Sequence, residues 1–557
     1  MRAADAVLRY IEGEGVSYVF GNPGTTEVHF MDAMVDSSLE FVLCLQENVA
    51  VAAADGLAQA TRRAQVVNLH TGPGVAQAMS SIYMAAKHRA PVVVTAGNED
   101  TRFAFTEPLL RAELIDMTKP LVKWGYETTD VDDVIPSLRR AFKVAQTPPQ
   151  GPVLVSWPMD VLAREVSDDI DLRPADVPAP PAPDPAAVER AAQLLAGASN
   201  PCFIAGDDVG RTRAEGGLAS LAQTVGAKVF TAPLALQQNF PNRHPLSAGG
   251  IPPFPNLARA FLAAHDVIVL VGARALFLYY YQPTDPIPPE AALVHAHPDP
   301  WELGKNYPTE VGIVSTSDRF VDALSAAVGD WSSDAKARAA ERSEKLVAEG
   351  QGKDGTTAAW AADERQKTPL TSVGIMASVL EHIGETPASY VDESVTNSLG
   401  TRAVPDLADS DSAFGHKGGA LGWGVGAAVG VALAFPDRRI VCTLGDGAIM
   451  YCPQALYTAA RHKLPILYLV MNNGGYAIIK SGTRAQKQRA YETDTYVGMD
   501  ITNPEIDFVS LARGLGLGSA VASTPREVDS AVKSALEHDG PFLIDCKLEN
   551  AIPDLPF

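Results

Sequence analysis

Two short apolar runs, each ending in residues with ligand character, constrain this chain more than any other feature. The first, Arg439-Ile-Val-Cys-Thr-Leu444, reads as a buried strand and runs into Gly445-Asp446-Gly447. Tyr451 to Lys463 then carries a helical pattern, stopped by Pro465. The second run, Ile466-Leu-Tyr-Leu-Val-Met471, ends at Asn472-Asn473-Gly474-Gly475. Runs this apolar are strands covered on both faces, and a helical connection between them makes them parallel. The unit therefore belongs to an open α/β sheet, with its polar residues at the carboxyl edge where such sheets bind ligands.

The residue types at that edge suit a diphosphate held through a hard divalent cation. Asp446 supplies a carboxylate oxygen, Asn473 a neutral amide oxygen and Gly475 a backbone carbonyl. That set suits Mg²⁺ or Ca²⁺ and leaves positions for phosphate oxygens. Gly445 and Gly447 let the backbone approach the phosphates closely. Gly-Asp-Gly alone is an ordinary turn. Gly-Asp-Gly on one strand end, with Asn472-Asn473 placed 27 residues past Gly445 on the next, is far more specific.

The chain has 557 residues, 46% of them hydrophobic, which favours three domains of ordinary size. Its net charge of −21 speaks against nucleic acid or an anionic membrane as partner. The same charge disfavours holding an anionic cofactor by bulk electrostatics, so a local cation makes sense. The five cysteines are scattered and odd in number, none in a close-spaced metal pair. They read as small buried hydrophobes in a reducing compartment. With no signal-peptide pattern and no long apolar run, the expected location is the cytoplasm.

Taken in order, the chain alternates strands and helices. Residues 2–13 form an amphipathic helix, and strands follow at 17–20, 41–45, 66–70, 91–96 and 152–156. This first α/β domain is expected over residues 1–165. A proline-rich linker over 173–187 leads to a second α/β domain over 186–330, with strands at 202–205, 228–231, 267–271 and 293–295. Residues 333–370 read as an exposed helix followed by a second linker. The third domain, 371–557, holds the opening motif.

Several strings carry a family likeness. They include Gly21-Asn-Pro-Gly24, Leu45-Gln-Glu47, Ala54-Asp-Gly56, Asn68-Leu-His70, Pro120-Leu-Val-Lys-Trp124, Gly445-Asp-Gly447 and Met471-Asn-Asn-Gly474. Together they resemble the thiamine-diphosphate-dependent superfamily of 2-oxo-acid decarboxylases and acetolactate synthases, most closely its benzoylformate decarboxylase branch. The resemblance spans nearly the whole chain and is weakest in the middle domain. It implies a pyrimidine-binding first domain, a central domain and a diphosphate-binding third domain, each α/β with a parallel sheet.

By that resemblance the cofactors are thiamine diphosphate and Mg²⁺ or Ca²⁺, with FAD not expected. The metal would be held by Asp446, Asn473 and Gly475. Gly445, Gly447, Ala448, Tyr476, Thr396 and Asn397 would line the diphosphate. Gly419 would offer its carbonyl to the pyrimidine amino group, and Leu421 would be the apolar wedge under the cofactor's bend. Glu47 stands at the position of the cofactor-activating glutamate, where a carboxyl in a poorly hydrated site can share a proton with the pyrimidine. Read from the residues alone, it is a glutamate complementing a helix dipole. His70 matches an active-site histidine suited to proton transfer, and Thr25 a substrate-contacting hydroxyl.

One departure stands out. Where the branch carries a second histidine in the central domain, this chain has Leu276-Phe-Leu-Tyr-Tyr-Tyr-Gln282. Tyr279 or Tyr280 is a candidate replacement, as is His416, while tyrosine packing is the alternative. The segment Lys480–Met499 is also longer and more charged than the branch suggests. The expected reaction is non-oxidative decarboxylation of a small-molecule 2-oxo acid, aromatic ones included, to an aldehyde. The alternative is a carboligase or lyase of the same superfamily, acetolactate-synthase-like or 2-hydroxyacyl-CoA-lyase-like. The resemblance also implies a homodimer or homotetramer with the active site between subunits.

Overall fold

The computed structural model describes residues 1–167, 169–174 and 176–554. Ala175 of the expected linker and the last three residues of the expected third domain lie outside the described residues. Three six-stranded sheets follow one another along the chain, and all their strand pairs are parallel. The protein is a three-domain α/β molecule.

The first sheet has the spatial order Glu40–Leu43, Tyr18–Gly21, Gln65–Leu69, Val92–Asn98, Val153–Pro158, Gly125–Glu127. The second runs Val311–Val314, Ala292–His297, Val267–Val271, Cys202–Ala205, Lys228–Thr231, Ser247–Gly250. The third runs Ala413–Phe414, Ala388–Glu393, Arg439–Gly445, Ile466–Asn472, Phe542–Lys547, Gly518–Ala522. In that sheet Gly445 pairs with Met471, so both motif turns leave the same edge side by side.

The first and third domains share one hydrophobic core. Its centre is the contact between the helices Glu47–Thr61 and Trp423–Ala434, both rich in alanine and glycine. The small residues let the backbones touch. A Cβ on Gly430 would lie 1.9 Å from the carbonyl oxygen of Ala53, and one on Gly56 would lie 2.4 Å from that of Ala427. The central domain has its own cores.

Two local expectations change. Between the motif strands the helical span is shorter than Tyr451–Lys463: a turn at Asp446–Ile449 precedes a helix at Ala455–Arg461. Residues 353–364, expected as linker, form a second helix after Ser333–Gly350. Ala361 is buried and Trp360 packs on the third domain's core, so tertiary burial turns a weakly patterned segment helical.

Candidate active site

The residues singled out in the sequence gather in two clusters. In the third domain, Asp446 opens the turn after strand Arg439–Gly445 and is 5% exposed. Its Oδ1 accepts the N–H of Gly447 at 2.8 Å and its Oδ2 that of Gly474 at 2.7 Å. Burial pushes its pKa up against these donors. Asn473 is also buried, and its side-chain oxygen accepts the N–H of Gly475 at 3.2 Å. Asn472 is tied back to Asp545 at 2.9 Å. Gly474 has φ +69°, the left-handed conformation that swings the chain from the strand end over Asp446. The ring of Tyr476 fills the place where a Cβ on Gly447 would sit, at 2.6 Å. Residues 450–454 separate the turn that holds Ala448 from the next helix.

Beside this turn, strand Ala388–Glu393 delivers two buried carboxylates. Burial works against ionising Asp392, yet Arg402 and the hydroxyl and N–H of Ser394 hold its pKa below the usual value. Burial raises Glu393 to about 8, although it accepts backbone N–H groups from Gly422, Trp423 and Gly424 at 3.0–3.2 Å. Thr396 and Asn397 follow in a short 3-10 turn after Val395, a β-branched residue at φ +51°. Such backbone is costly and concentrates at functional sites. Leu421 is half-buried, between Gly419 at φ +75° and Gly422 at φ +93°.

The first domain carries the other cluster. Gln46 caps the helix Glu47–Thr61, and Glu47 is its first residue, 6% exposed. Asn22 donates to Glu47 Oε1 at 3.2 Å, and Gly74 leaves room for the side chain. His70 follows the strand Gln65–Leu69, with its ring laid against Gly24, where a Cβ would be 2.2 Å from Nδ1.

Sequence reasoning missed the partner of His70, which is Glu27. Glu27 is 1% exposed and its Oε2 accepts from His70 Nδ1 at 2.8 Å. The same carboxylate accepts the N–H groups of Gly24 and Gly97 and the hydroxyl of Thr26. Donation of Nδ1–H to Glu27 would make Nε2 the acceptor nitrogen of a neutral ring, on a side chain 22% exposed. Thr25 is exposed at the head of the turn, and the hydroxyl that meets His70 is that of Thr26, at 3.2 Å. Thr71, next to His70, is a buried β-branched residue at φ +42°.

The other candidates lie further out. Tyr279 and Tyr281 are exposed. Tyr280 stacks on Phe254, and its hydroxyl is 3.6 Å from the Cβ position of Gly482, in the helix Ala477–Ala485 just past Tyr476. His416 is half-buried, and desolvation lowers its pKa to about 4. In the segment after Lys480, that lysine is 4% exposed and bonds Asp500 and Asn550.

The described contacts of Glu47 and His70 share no residue with those of Asp446 and Asn473. One chain therefore presents two separate clusters. Exposed large apolar side chains occur on both domains: Leu45 and Phe105 on the first, Met450, Tyr451, Leu399 and Ile479 on the third.

A buried carboxylate with only backbone donors, an adjacent amide oxygen and a glycine-lined turn fit a cation-bound diphosphate. No group of three or more metal-ligating His, Cys, Asp or Glu side chains occurs among the described residues, so a cation here takes its other oxygens from backbone, ligand or water. Comparison with known proteins gives the class to which this fold and edge belong. Family profiles for the thiamine pyrophosphate enzymes match in three places: the N-terminal TPP binding domain at residues 1–110, the central domain at 188–324 and the C-terminal TPP binding domain at 409–546.

The chain belongs to the thiamine-diphosphate-dependent enzyme superfamily. It is 29% identical over 550 residues to the benzoylformate decarboxylase of Pseudomonas aeruginosa, covering 98% of this chain and 99% of that protein. It is 26% identical to a probable acetolactate synthase large subunit of Methanocaldococcus jannaschii, covering 100% and 94%. The crystal structure of benzoylformate decarboxylase from Polynucleobacter necessarius superposes with a TM-score of 0.88 at 27% identity, covering both chains completely.

Proposed function

We propose that the protein decarboxylates a 2-oxo acid of the aromatic, benzoylformate-like kind without oxidation, releasing CO₂ and an aldehyde. The observation that carries this reading is the Glu27–His70 pair, a buried carboxylate that leaves one imidazole nitrogen free at the mouth of the first half-site. The names of the relatives supply the substrate class. Bound thiamine diphosphate supplies the electron sink that lets carboxylate carbon leave as CO₂.

The chain's residues do the rest. Asp446, Asn473 and the Gly475 carbonyl hold Mg²⁺ or Ca²⁺, with Gly445, Gly447, Ala448, Tyr476, Thr396 and Asn397 around the diphosphate. Gly419 and Leu421 orient the rings. Glu47, steadied by Asn22, shares a proton with the pyrimidine. His70 Nε2 moves protons to and from the reacting carbon and oxygen, while Glu27 keeps its ring in one tautomer. Thr25 offers a hydroxyl to the substrate. A second copy of the chain joins the two half-sites, so the working unit is a homodimer or a pair of them. The five cysteines are free and buried, in keeping with a cytoplasmic protein. Among the described residues no helix is long and apolar enough to cross a membrane.

A carboligase or lyase reading has one specific support: Leu276–Gln282 holds tyrosines and no histidine, and an acetolactate synthase is among the relatives. Mass-spectrometric product analysis separates the two. The protein is incubated with thiamine diphosphate, Mg²⁺ and benzoylformate, pyruvate or branched-chain 2-oxo acids, with Glu47→Gln as control. A free aldehyde lost in Glu47→Gln is expected. A coupled hydroxyketone moves the assignment to ligase, and no Glu47-dependent product from any of these acids removes the decarboxylase.

A further inference from the structure

The loop Lys417–Trp423 carries three glycines, at 418, 419 and 422, two of them in left-handed backbone. Such a loop has many conformations to lose on ordering. It is nevertheless tied at both ends by one buried carboxylate of the first domain. Asp55 is 0% exposed, and its Oδ2 accepts two hydrogen bonds. One comes from Trp423 Nε1–H at 2.8 Å, at the far end of the loop. The other comes from His88 Nδ1–H at 2.5 Å. His88 Nε2 then accepts the backbone N–H of Lys417 at 3.1 Å, at the near end.

The ring of His88 also meets that of Trp423 edge-on, with centroids 5.2 Å apart. Both nitrogens of His88 are thus used, and its tautomer is set by an acceptor on one side and a donor on the other. Gln59 holds the second oxygen of Asp55 at 3.0 Å. Lys417 adds a third domain to the fixture, because its buried ammonium pairs with Asp207 of the central domain.

We propose that Asp55 and His88 are positioning residues for the cofactor. By pinning Lys417 and Trp423 they hold Gly419 and Leu421 in their binding shape before thiamine diphosphate arrives, so the ordering cost is met by folding instead of by binding. Neither residue touches the reacting atoms. This inference rests on the proposed roles of Gly419 and Leu421.

The test uses the full chain and two readouts: thiamine diphosphate affinity by titration calorimetry with Mg²⁺ present, and amide hydrogen exchange over residues 417–422 without cofactor. His88→Leu removes both hydrogen bonds and leaves the Lys417 N–H unpaired. It is expected to weaken binding by about tenfold or more and to speed exchange in the loop. His88→Gln retains one donor and one acceptor and is expected to recover most of both. Should His88→Leu not fold, Asp55→Asn supplies the same two readings.

Affinity within twofold of the native chain, or unchanged loop exchange in a folded variant, overturns the proposal, even if thermal stability falls. If the native chain binds no thiamine diphosphate, the functional reading fails and the exchange rates alone decide whether the pair holds the loop.

Discussion

At the scale of single residues, the site depends on where buried carboxylates find their donors. Glu27 occupies a place that looks purely local. It closes the turn that begins at Gly24, whose N–H its carboxylate accepts. Its contact with His70 joins residues 43 apart and has no mark in the local pattern. Glu27→Gln replaces one acceptor oxygen with a donor, facing the N–H of Gly24, that of Gly97 or His70. The expected result is a fall in kcat of about 10² or more at little change in KM, measured by steady-state kinetics with thermal melting as control. Equal kinetics would remove His70 from proton transfer.

Glu393 gives a pH prediction. Burial raises its carboxyl from 4.5 to about 8, so between those values the folded protein holds a proton that the unfolded chain has lost. This contribution to stability is fully present below that window, falls as pH rises through it and is gone above about 8. Urea midpoints at about pH 6 and about pH 9 should differ less in Glu393→Gln than in the native chain. An unchanged difference would show that Glu393 ionises normally in the fold.

At the scale of elements, the glycines and alanines of two helices do the structural work. Ala50, Ala53, Gly56, Gly426 and Gly430 are all fully buried or nearly so, and they let the helices of the first and third domains meet backbone to backbone. Gly430→Val drives a branched side chain against Ala53 O, which cannot move without its helix. A loss of about 1–3 kcal/mol or more is expected from such overpacking, read as a lower denaturant midpoint. A midpoint equal to that of the native chain would mean the helices separate easily. Alanine richness was legible in the sequence, but which helix each stripe faces was not, because both runs are apolar nearly all round. The 353–364 helix shows the opposite case, since its own pattern is weak and its burial comes from packing on the next helix, Ser372–Ile383, and the third domain's core.

At the scale of the molecule, the proposed sharing of the site between two copies of the chain has one support in the surface, the exposed apolar side chains of Leu45, Phe105, Tyr451 and Leu399. Exposed apolar side chains beside functional clusters are the mark of an interface. Light scattering should give a mass two or four times 59.0 kDa, even at low concentration. A stable monomer that retained activity would overturn the shared-site reading. Removal of divalent cations by chelation should release thiamine diphosphate, and Mg²⁺ should restore binding. Retention of cofactor after chelation would detach Asp446 and Asn473 from metal binding.

What the sequence determined by itself is local and periodic: the parallel α/β class, the three domains and the two strand ends that carry Gly445–Gly447 and Asn472–Gly475 side by side. Apolar runs and turn residues carry that information over a few neighbours, so it survives without coordinates. What the tertiary structure alone decided are the contacts between distant residues: Glu27 with His70, Asp55 with both His88 and Trp423, Lys417 with Asp207. Each pairs a buried charge or dipole with the donor that compensates its lost hydration, and only the folded chain brings the two together.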